Sequence, residues 1–325
     1  MKKILKRLLQ VVLVLVLLAV GGIATKFYVL APASRPATNV RAPRTPEAIA
    51  RGKYLAHHVF VCVGCHSPVH EDRPGEPLVE GKLGSGRSFP DDPTFPDWHI
   101  GAPNLTPDRA TGLGAWTDGE ILRAMREGVS RDGRPLFPMM PYQTYAKGLS
   151  DEDALAVIAY LRSLAPIRNQ VDPTVIGFPV SMFIRAVPQP VTKAARPAPA
   201  AGTARGRWLL DVSSCGDCHT TFDDKRDPIP GHYLAGGNPF PIPGRGTLYT
   251  PNITSDRATG VGSYSDDDLR RAIFEGFGKD SRRLLGMPWW YYAGMTEEDR
   301  TALIGALRGV RAVKNVVPAS DLRRD

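Results

Sequence analysis

The chain repeats itself, and the repeat limits what its 325 residues can fold into. Pro103-Asn-Leu-Thr-Pro-Asp-Arg-Ala-Thr-Gly-Leu-Gly-Ala-Trp-Thr-Asp118 is answered by Pro251-Asn-Ile-Thr-Ser-Asp-Arg-Ala-Thr-Gly-Val-Gly-Ser-Tyr-Ser-Asp266, with ten of sixteen positions identical. Upstream, Arg51-Gly-Lys-Tyr-Leu55 matches Arg205-Gly-Arg-Trp-Leu209. Downstream, Leu149-Ser-Asp-Glu-Asp153 matches Met295-Thr-Glu-Glu-Asp299. Self-similarity of this kind means one structural unit used twice. Two homologous lobes are expected, residues 46–178 and 205–325. Residues 179–204 join them, and the Pro- and Ala-rich part of that stretch reads as a connector.

Each lobe opens on the same pentapeptide. Cys62-Val-Gly-Cys65-His66 and Cys215-Gly-Asp-Cys218-His219 use all four cysteines. This spacing is the attachment signature of c-type haem. The two thiols add across the haem vinyl groups as thioethers, and the adjacent imidazole binds iron. A zinc ribbon would draw both pairs into one tetrahedral site, but the pairs lie far apart in sequence and each is followed by histidine. Disulfides within the pairs leave the repeated histidine unexplained, and a thioredoxin-like pair lacks its βαβ surroundings. The expected cofactors are therefore two covalently bound haem c, on Cys62, Cys65, Cys215 and Cys218, with His66 and His219 as iron ligands.

The second axial ligand decides what such a haem does. Methionine sulfur raises the potential, a second imidazole lowers it, and an open position admits peroxide or gas chemistry. Met140 and Met287 stand nine and eight residues ahead of the matched Leu149 and Met295, each followed by proline, and one gap makes them counterparts. The bland reading is a pair of core methionines, but matched positions in a duplicated lobe favour ligation. Met139 is a neighbour that could replace Met140, while Met125 and Met295 read as packing residues. His57, His58, His70, His99 and His232 include no pair at equivalent positions and read as surface or packing residues. The repeated Asn104-x-Thr106 and Asn252-x-Thr254 stretches have two readings. Either they build turns, or they donate hydrogen bonds around a haem edge, with Trp116 and Tyr264 against its rim.

Helical signals recur in the same order in each lobe. One helix, Pro46 to Phe60, leads into the first pentapeptide. A second opens at Thr117 with Glu120 as a capping box, and a third opens at Ser150 with acidic residues suited to the positive end of its dipole. Leu155, Ile158, Leu161 and Leu164 mark the inner face of the third. Ser265 to Gly276 and Thr296 to Arg308 repeat the second and third helices, with Leu303, Ile304, Leu307 and Val310 inward. No convincing alternating strand is visible. The expected fold is all-α, with each lobe small for an apolar core of its own and dependent on haem for the missing apolar mass.

Before the lobes, Lys2, Lys3, Lys6 and Arg7 precede an uncharged run from Leu8 to Thr25. As a helix this run spans about 27 Å, close to the hydrocarbon thickness of a bilayer. The basic cluster keeps to the cytoplasmic side, so everything after Lys26 faces outward. A cleaved signal peptide is the competing reading, with Ala31-Pro-Ala33 a weak cleavage site. Residues 1–30 are expected to be a transmembrane anchor and 31–45, with their prolines, a stalk. Covalent haem attachment outside the cytoplasm gives the same orientation: a bacterial inner-membrane anchor with the haem lobes on the periplasmic side. The net charge of +8 owes half its excess to the cytoplasmic tip. No basic stripe with interleaved aromatics points to nucleic acid.

Taken together, the pentapeptide, the Pro-Asn-Leu-Thr-Pro-Asp stretch, Arg131-Asp-Gly-Arg134, Pro-x-Met-Pro-Tyr142 and Leu-Ser-Asp-Glu-Asp resemble multihaem membrane-bound cytochromes c. These serve periplasmic alcohol, aldehyde and sugar-acid dehydrogenases as electron-accepting subunits. The resemblance covers residues 46 to 318. It implies His66 and His219 as proximal ligands and Met140 and Met287 as distal ones. Such subunits commonly carry three haem lobes and a C-terminal anchor, and lobe two here reads Gly-Met-Pro-Trp in place of Pro-x-Met-Pro-Tyr. The expected function is transfer of single electrons in a periplasmic respiratory chain. The donor would be a dehydrogenase or quinol-oxidising complex and the acceptor a terminal oxidase or soluble cytochrome, with no catalytic residue of the chain's own. The alternatives are a dihaem peroxidase-like enzyme, which needs an open iron and an acid–base group, and a haem subunit of an oxidase complex.

Overall fold

The computed structural model describes residues 2–71, 73, 76–89, 97–193, 195–223, 227–242 and 245–322. The apolar N-terminal run forms helix α1, Lys2–Ala24, which continues as a π turn, Thr25–Val29. Every described side chain of α1 is exposed. It is the one helix among the described residues long and apolar enough to cross a membrane.

Residues 31–45 do not stand off as a stalk. They lie along lobe one, where Arg35 Nε donates to Glu127 (2.7 Å) and the Ala42 amide to Asp118 (2.8 Å). A proline-stiffened strand makes few hydrogen bonds of its own, so it takes them from the carboxylates it crosses.

Lobe one runs through α2 (Pro46–Tyr54), α3 (Cys62–Cys65), a minimal pair β1 (Arg87–Ser88) and β2 (Gly101–Ala102), then α4 (Asp118–Glu127), α5 (Tyr142–Gly148) and α6 (Asp151–Ser163). Its boundaries follow from caps. Thr117 and Glu120 form the reciprocal capping box, Gly128 ends α4 at φ 71°, and the Ser150 side chain accepts from the Asp153 amide. The short α7 (Val180–Ile184) lies in the connector. Lobe two repeats the plan with α8 (Gly202–Val212), α9 (Cys215–His219), β3 (Pro239–Ile242), β4 (Gly246–Tyr249), α10 (Asp266–Arg270) with a π turn to Glu275, α11 (Trp289–Tyr292), α12 (Glu297–Arg308) and β5 (Asp321–Leu322). Helix α8 begins three residues before the expected boundary at 205.

The molecule is mostly helical, as expected, but a three-stranded sheet in lobe two was not foreseen. β3 pairs antiparallel with β4, Phe240 opposite Leu248, and β4 pairs with β5. Pro239 and Pro241 alternate along β3, where they cannot donate to a ladder, so the strand lies at the edge. Its four residues are also too few to display a period of two.

In each lobe the helix that leads into the pentapeptide crosses the last one at a glycine. A Cβ on Gly52 would lie 1.9 Å from the Ala156 carbonyl oxygen, and one on Gly206 equally 1.9 Å from that of Ala302. Only the missing side chain lets α2 meet α6, and α8 meet α12, this closely. The crossings are locked by Arg51 to Asp153 and by Arg205 to Asp299.

The lobes differ at one point in register. Eleven positions separate Arg51 from Cys62, but ten separate Arg205 from Cys215. The extra residue is taken up by a π turn, Leu55–Val59, absent from the continuous α8.

The two lobes share one apolar core rather than keeping two. Leu55, Val59, Phe60 and Ile158 of lobe one belong to the same buried cluster as Leu209, Leu269, Phe274 and Leu303 of lobe two. Both lobes contribute aromatic side chains to the junction. Trp208 of α8 donates to the Gly148 carbonyl (2.7 Å) and meets Phe60 edge-on, while Tyr54, its counterpart in α2, donates to Asp299. His58 Nδ1 donates to the Tyr291 carbonyl (2.7 Å).

Candidate functional site

The chain reverses just ahead of each pentapeptide, with Val61 at φ 50° and Ser214 at φ 61°. Left-handed backbone is costly for any side chain, most of all a β-branched one, by about 1–2 kcal/mol. Both lobes accept that strain at the same place. A buried tyrosine fixes each reversal: Tyr145 donates to the Phe60 carbonyl (3.2 Å) and Tyr292 to that of Ser213 (2.7 Å). One helical turn then carries the two cysteines and sets the histidine at its end.

Each histidine is held by one ring nitrogen. His66 Nδ1 donates to the Pro103 carbonyl (2.8 Å) and His219 Nδ1 to that of Pro251 (2.9 Å). Burial lowers the pKa of both imidazoles, partly offset by that carbonyl, so both are neutral with the proton on Nδ1. The lone pair is left on Nε2, the tautomer a metal ligand needs. No disulfide joins any of the four cysteines. Burial pushes Cys62 and Cys215 up to about 12, and raises Cys65 and Cys218 as well.

The two carbonyls belong to the first residues of the duplicated sixteen-residue stretch, which explains its repetition. Asn104 Oδ1 accepts from the Thr106 amide (2.9 Å) and hydroxyl (2.7 Å), while its amide nitrogen donates to Thr111 (3.1 Å) and to the Ile167 carbonyl (2.7 Å). Asn252 repeats the pattern with Thr254, Thr259 and the Val313 carbonyl. These side chains are spent on the loop, so the turn reading holds and the haem-edge donor reading is set aside. The sequence carried the signal but not the partners, which lie some sixty residues further on.

Cys62, Cys65, His66 and Met140 line one cavity of about 1220 Å³. Its wall is largely apolar, with Leu113, Ile121, Val157 and Leu161 among the lining. The cavity does not stop at lobe one. Ser213, Met287, Tyr291 and Tyr292 of lobe two line it too. Sequence reasoning did not foresee that Met287 borders the space containing His66. The Tyr291 ring packs so closely on Gly64, inside the first pentapeptide, that a Cβ there would lie 2.9 Å from it. Cys215, Cys218 and His219 are half-buried and are not among the lining residues.

Of the two adjacent methionines, Met140 packs against the core while Met139 is 45% exposed. Met125 and Met295 are buried core residues, as expected. Among the described residues, His66 is the one histidine lining the cavity. His57 instead hydrogen-bonds the Tyr160 hydroxyl (2.6 Å). No group of three or more His, Cys, Asp or Glu side chains converges among the described residues, which leaves the zinc-ribbon reading without a site.

The residues therefore fit a haem: paired thiols, a histidine with its Nε2 free, and a large apolar cavity carrying a thioether. Residues 49–165 match the cytochrome c family. The chain is 33% identical to the gluconate 2-dehydrogenase cytochrome c subunit of Pantoea cypripedii, over 74% of this chain and 53% of that protein. It is 34% identical to the fructose dehydrogenase cytochrome subunit of Gluconobacter japonicus, over 71% of this chain and 47% of that protein. A diheme cytochrome c-type protein of Cereibacter sphaeroides is 28% identical over 78% of this chain and 83% of its own length. The chain spans about half the length of the dehydrogenase subunits it matches.

Proposed function

Because the chain carries a cytochrome c domain, a module that binds haem c covalently and transfers electrons, we propose that it is a dihaem relay for single electrons. It is held to the membrane by α1 with both lobes on the periplasmic side. Cys62 and Cys65 would tether one haem and Cys215 and Cys218 the other, with His66 and Met140, and His219 and Met287, as axial ligands. Each bound haem supplies one reversible one-electron step at its iron.

What the protein contributes is positioning and exclusion. The Pro103 and Pro251 carbonyls fix the imidazole tautomers. The cavity wall is largely apolar, and with Met140 and Met287 as ligands neither iron would be left open to a substrate. The observation that carries the reading is the cavity shared by the first pentapeptide and the Met287 loop of lobe two. A relay between two haems would need such a path from one lobe to the other, and the cavity supports it by reaching from the first pentapeptide to the loop of lobe two.

The similarity to gluconate and fructose dehydrogenase subunits supports a dehydrogenase as donor; the acceptor in this reading is an oxidase or soluble cytochrome. Haem content and intact mass of the membrane-purified protein should give two haems per chain, falling to one when Cys215 and Cys218 are replaced by Ala. One haem in the unaltered protein would refute the dihaem reading. Rapid carbon monoxide binding by the reduced protein would favour a peroxidase-like enzyme. Mild-detergent co-purification with mass spectrometry tests the dehydrogenase partner.

A further inference from the structure

The connector carries an apolar surface that neither lobe covers. In α7 the residues Ser181 and Ile184 turn inward and line the cavity, together with Thr174 and Ile176 just before them. The other side is no more polar: Phe178 is 77% exposed, Phe183 54%, and Val175 and Val180 are exposed beside them. A short helix apolar on both sides needs a second apolar environment.

That surface is continuous with the end of α1. The Phe27 and Phe183 rings meet edge-on at 5.6 Å. Arg185 Nε donates to the Phe27 carbonyl (2.7 Å), its second arm reaches the Ala31 carbonyl (3.3 Å), and its guanidinium lies 5.3 Å from the Tyr28 ring. Tyr28, Val29 and Leu30 are exposed at this junction. Aromatic rings and basic side chains collected where an apolar helix ends are the composition of a membrane–water boundary.

We propose that residues 25–30 and 175–184 form a single foot seated in the headgroup layer of the bilayer, pressing the cavity wall of lobe one against the membrane. The inference rests on α1 being retained as an anchor. It makes the contact of lobe one with lipid a fixed orientation rather than a tethered one.

The test uses the full-length haem-loaded protein alone in phosphatidylcholine vesicles containing a lipid with a photoactivatable group near the glycerol, with adducts mapped by mass spectrometry. Adducts are expected on 175–184 as well as on 25–30. A double variant, Phe178→Asp with Phe183→Asp, should lose the adducts on 175–184 while keeping an unchanged haem spectrum. Adducts confined to residues before 31 in the unaltered protein would overturn the foot and leave its apolar surface to a protein partner. Unabated labelling of 175–184 in the double variant would overturn it as well. Absence of label from α1, with lipids carrying the group deep in the acyl chain, would instead overturn the anchor on which the foot depends. Neither failure touches the haem count, which tests the relay separately.

Discussion

Arg205 and Asp299 meet through two parallel hydrogen bonds of 2.7 Å, Nε to Oδ1 and Nη2 to Oδ2, with both side chains only 7% exposed. Their lobe-one counterparts, Arg51 and Asp153, make the same pair at 2.9 and 3.1 Å, but with the arginine 37% exposed. Asp299 also receives the Tyr54 phenol from across the lobe junction. The buried pair is therefore at once a lock on its helix crossing and a link between lobes.

Removing one partner of a buried pair strands the other charge. Arg205→Ala is expected to cost about 3–5 kcal/mol. Arg51 is itself 37% exposed, so its removal opens Asp153 to water, and Arg51→Ala should cost less, about 1 kcal/mol. Denaturant unfolding of the two haem-loaded variants measures the difference, and equal losses would contradict it. Burial raises the Asp299 carboxyl, but Arg205 and Tyr54 together outweigh it and leave its pKa below the usual range. A depressed carboxylate stabilises above its unfolded pKa, so this contribution is present at neutral pH and lost as pH falls below about 4.

His57 sets an earlier acid limit. Burial, then the neighbouring His58 and Lys53, lower its pKa from 6.5 to about 4. In the folded protein the ring is neutral, whereas the unfolded chain takes up its proton first as pH falls. Stability should therefore decline between about 6.5 and about 4, and His57→Gln should flatten the decline. Unfolding midpoints across that window give the answer, and an unchanged slope in the variant would exclude His57 as the source.

The glycine crossings tolerate no side chain. Gly52→Val or Gly206→Val forces α2 from α6, or α8 from α12, because the new Cβ falls 1.9 Å from a backbone oxygen. Overpacking of this kind costs about 1–3 kcal/mol or more. Reduced yield of haem-loaded protein, with a lowered melting temperature, is the expected outcome. Gly305, where a Cβ would meet nothing within 4 Å, is the control and should accept Ala without loss.

Met140→Ala and Met287→Ala should each convert one haem of two to high spin, seen as loss of half the sulfur–iron charge-transfer absorption. Met139→Ala should leave the spectrum unchanged. A spectrum altered by Met139 and not by Met140 would reassign the lobe-one ligand.

Much of this was readable from local chemistry. The caps at Thr117, Ser150, Ser265 and Thr296 all hold, because a hydroxyl three residues from an amide needs no distant partner. The pentapeptides and the methionine loops announced themselves through duplication. What escaped depended on residues far away in the chain. Gly52 looks like any helical glycine until Ala156 is brought against it, and Tyr291 gives no sign that it will cover Gly64. The π turn at Leu55–Val59 was hidden in a one-residue difference between the lobes, visible only once both helices could be compared. Residues 31–45 read as a spacer because proline content reports stiffness and says nothing of what a stiff segment lies against.

Trp208 resting on Gly148 and Tyr54 reaching Asp299 join the two lobes through matched aromatic positions of α8 and α2. Both halves belong to a single polypeptide. Docking of the halves is therefore independent of protein concentration, and dilution cannot separate them. Nor must the joined faces stay self-complementary: a substitution on one side is no longer copied onto the other. His58 closing over Tyr291 and Gly294 is a contact that a symmetric pair would have had to make twice.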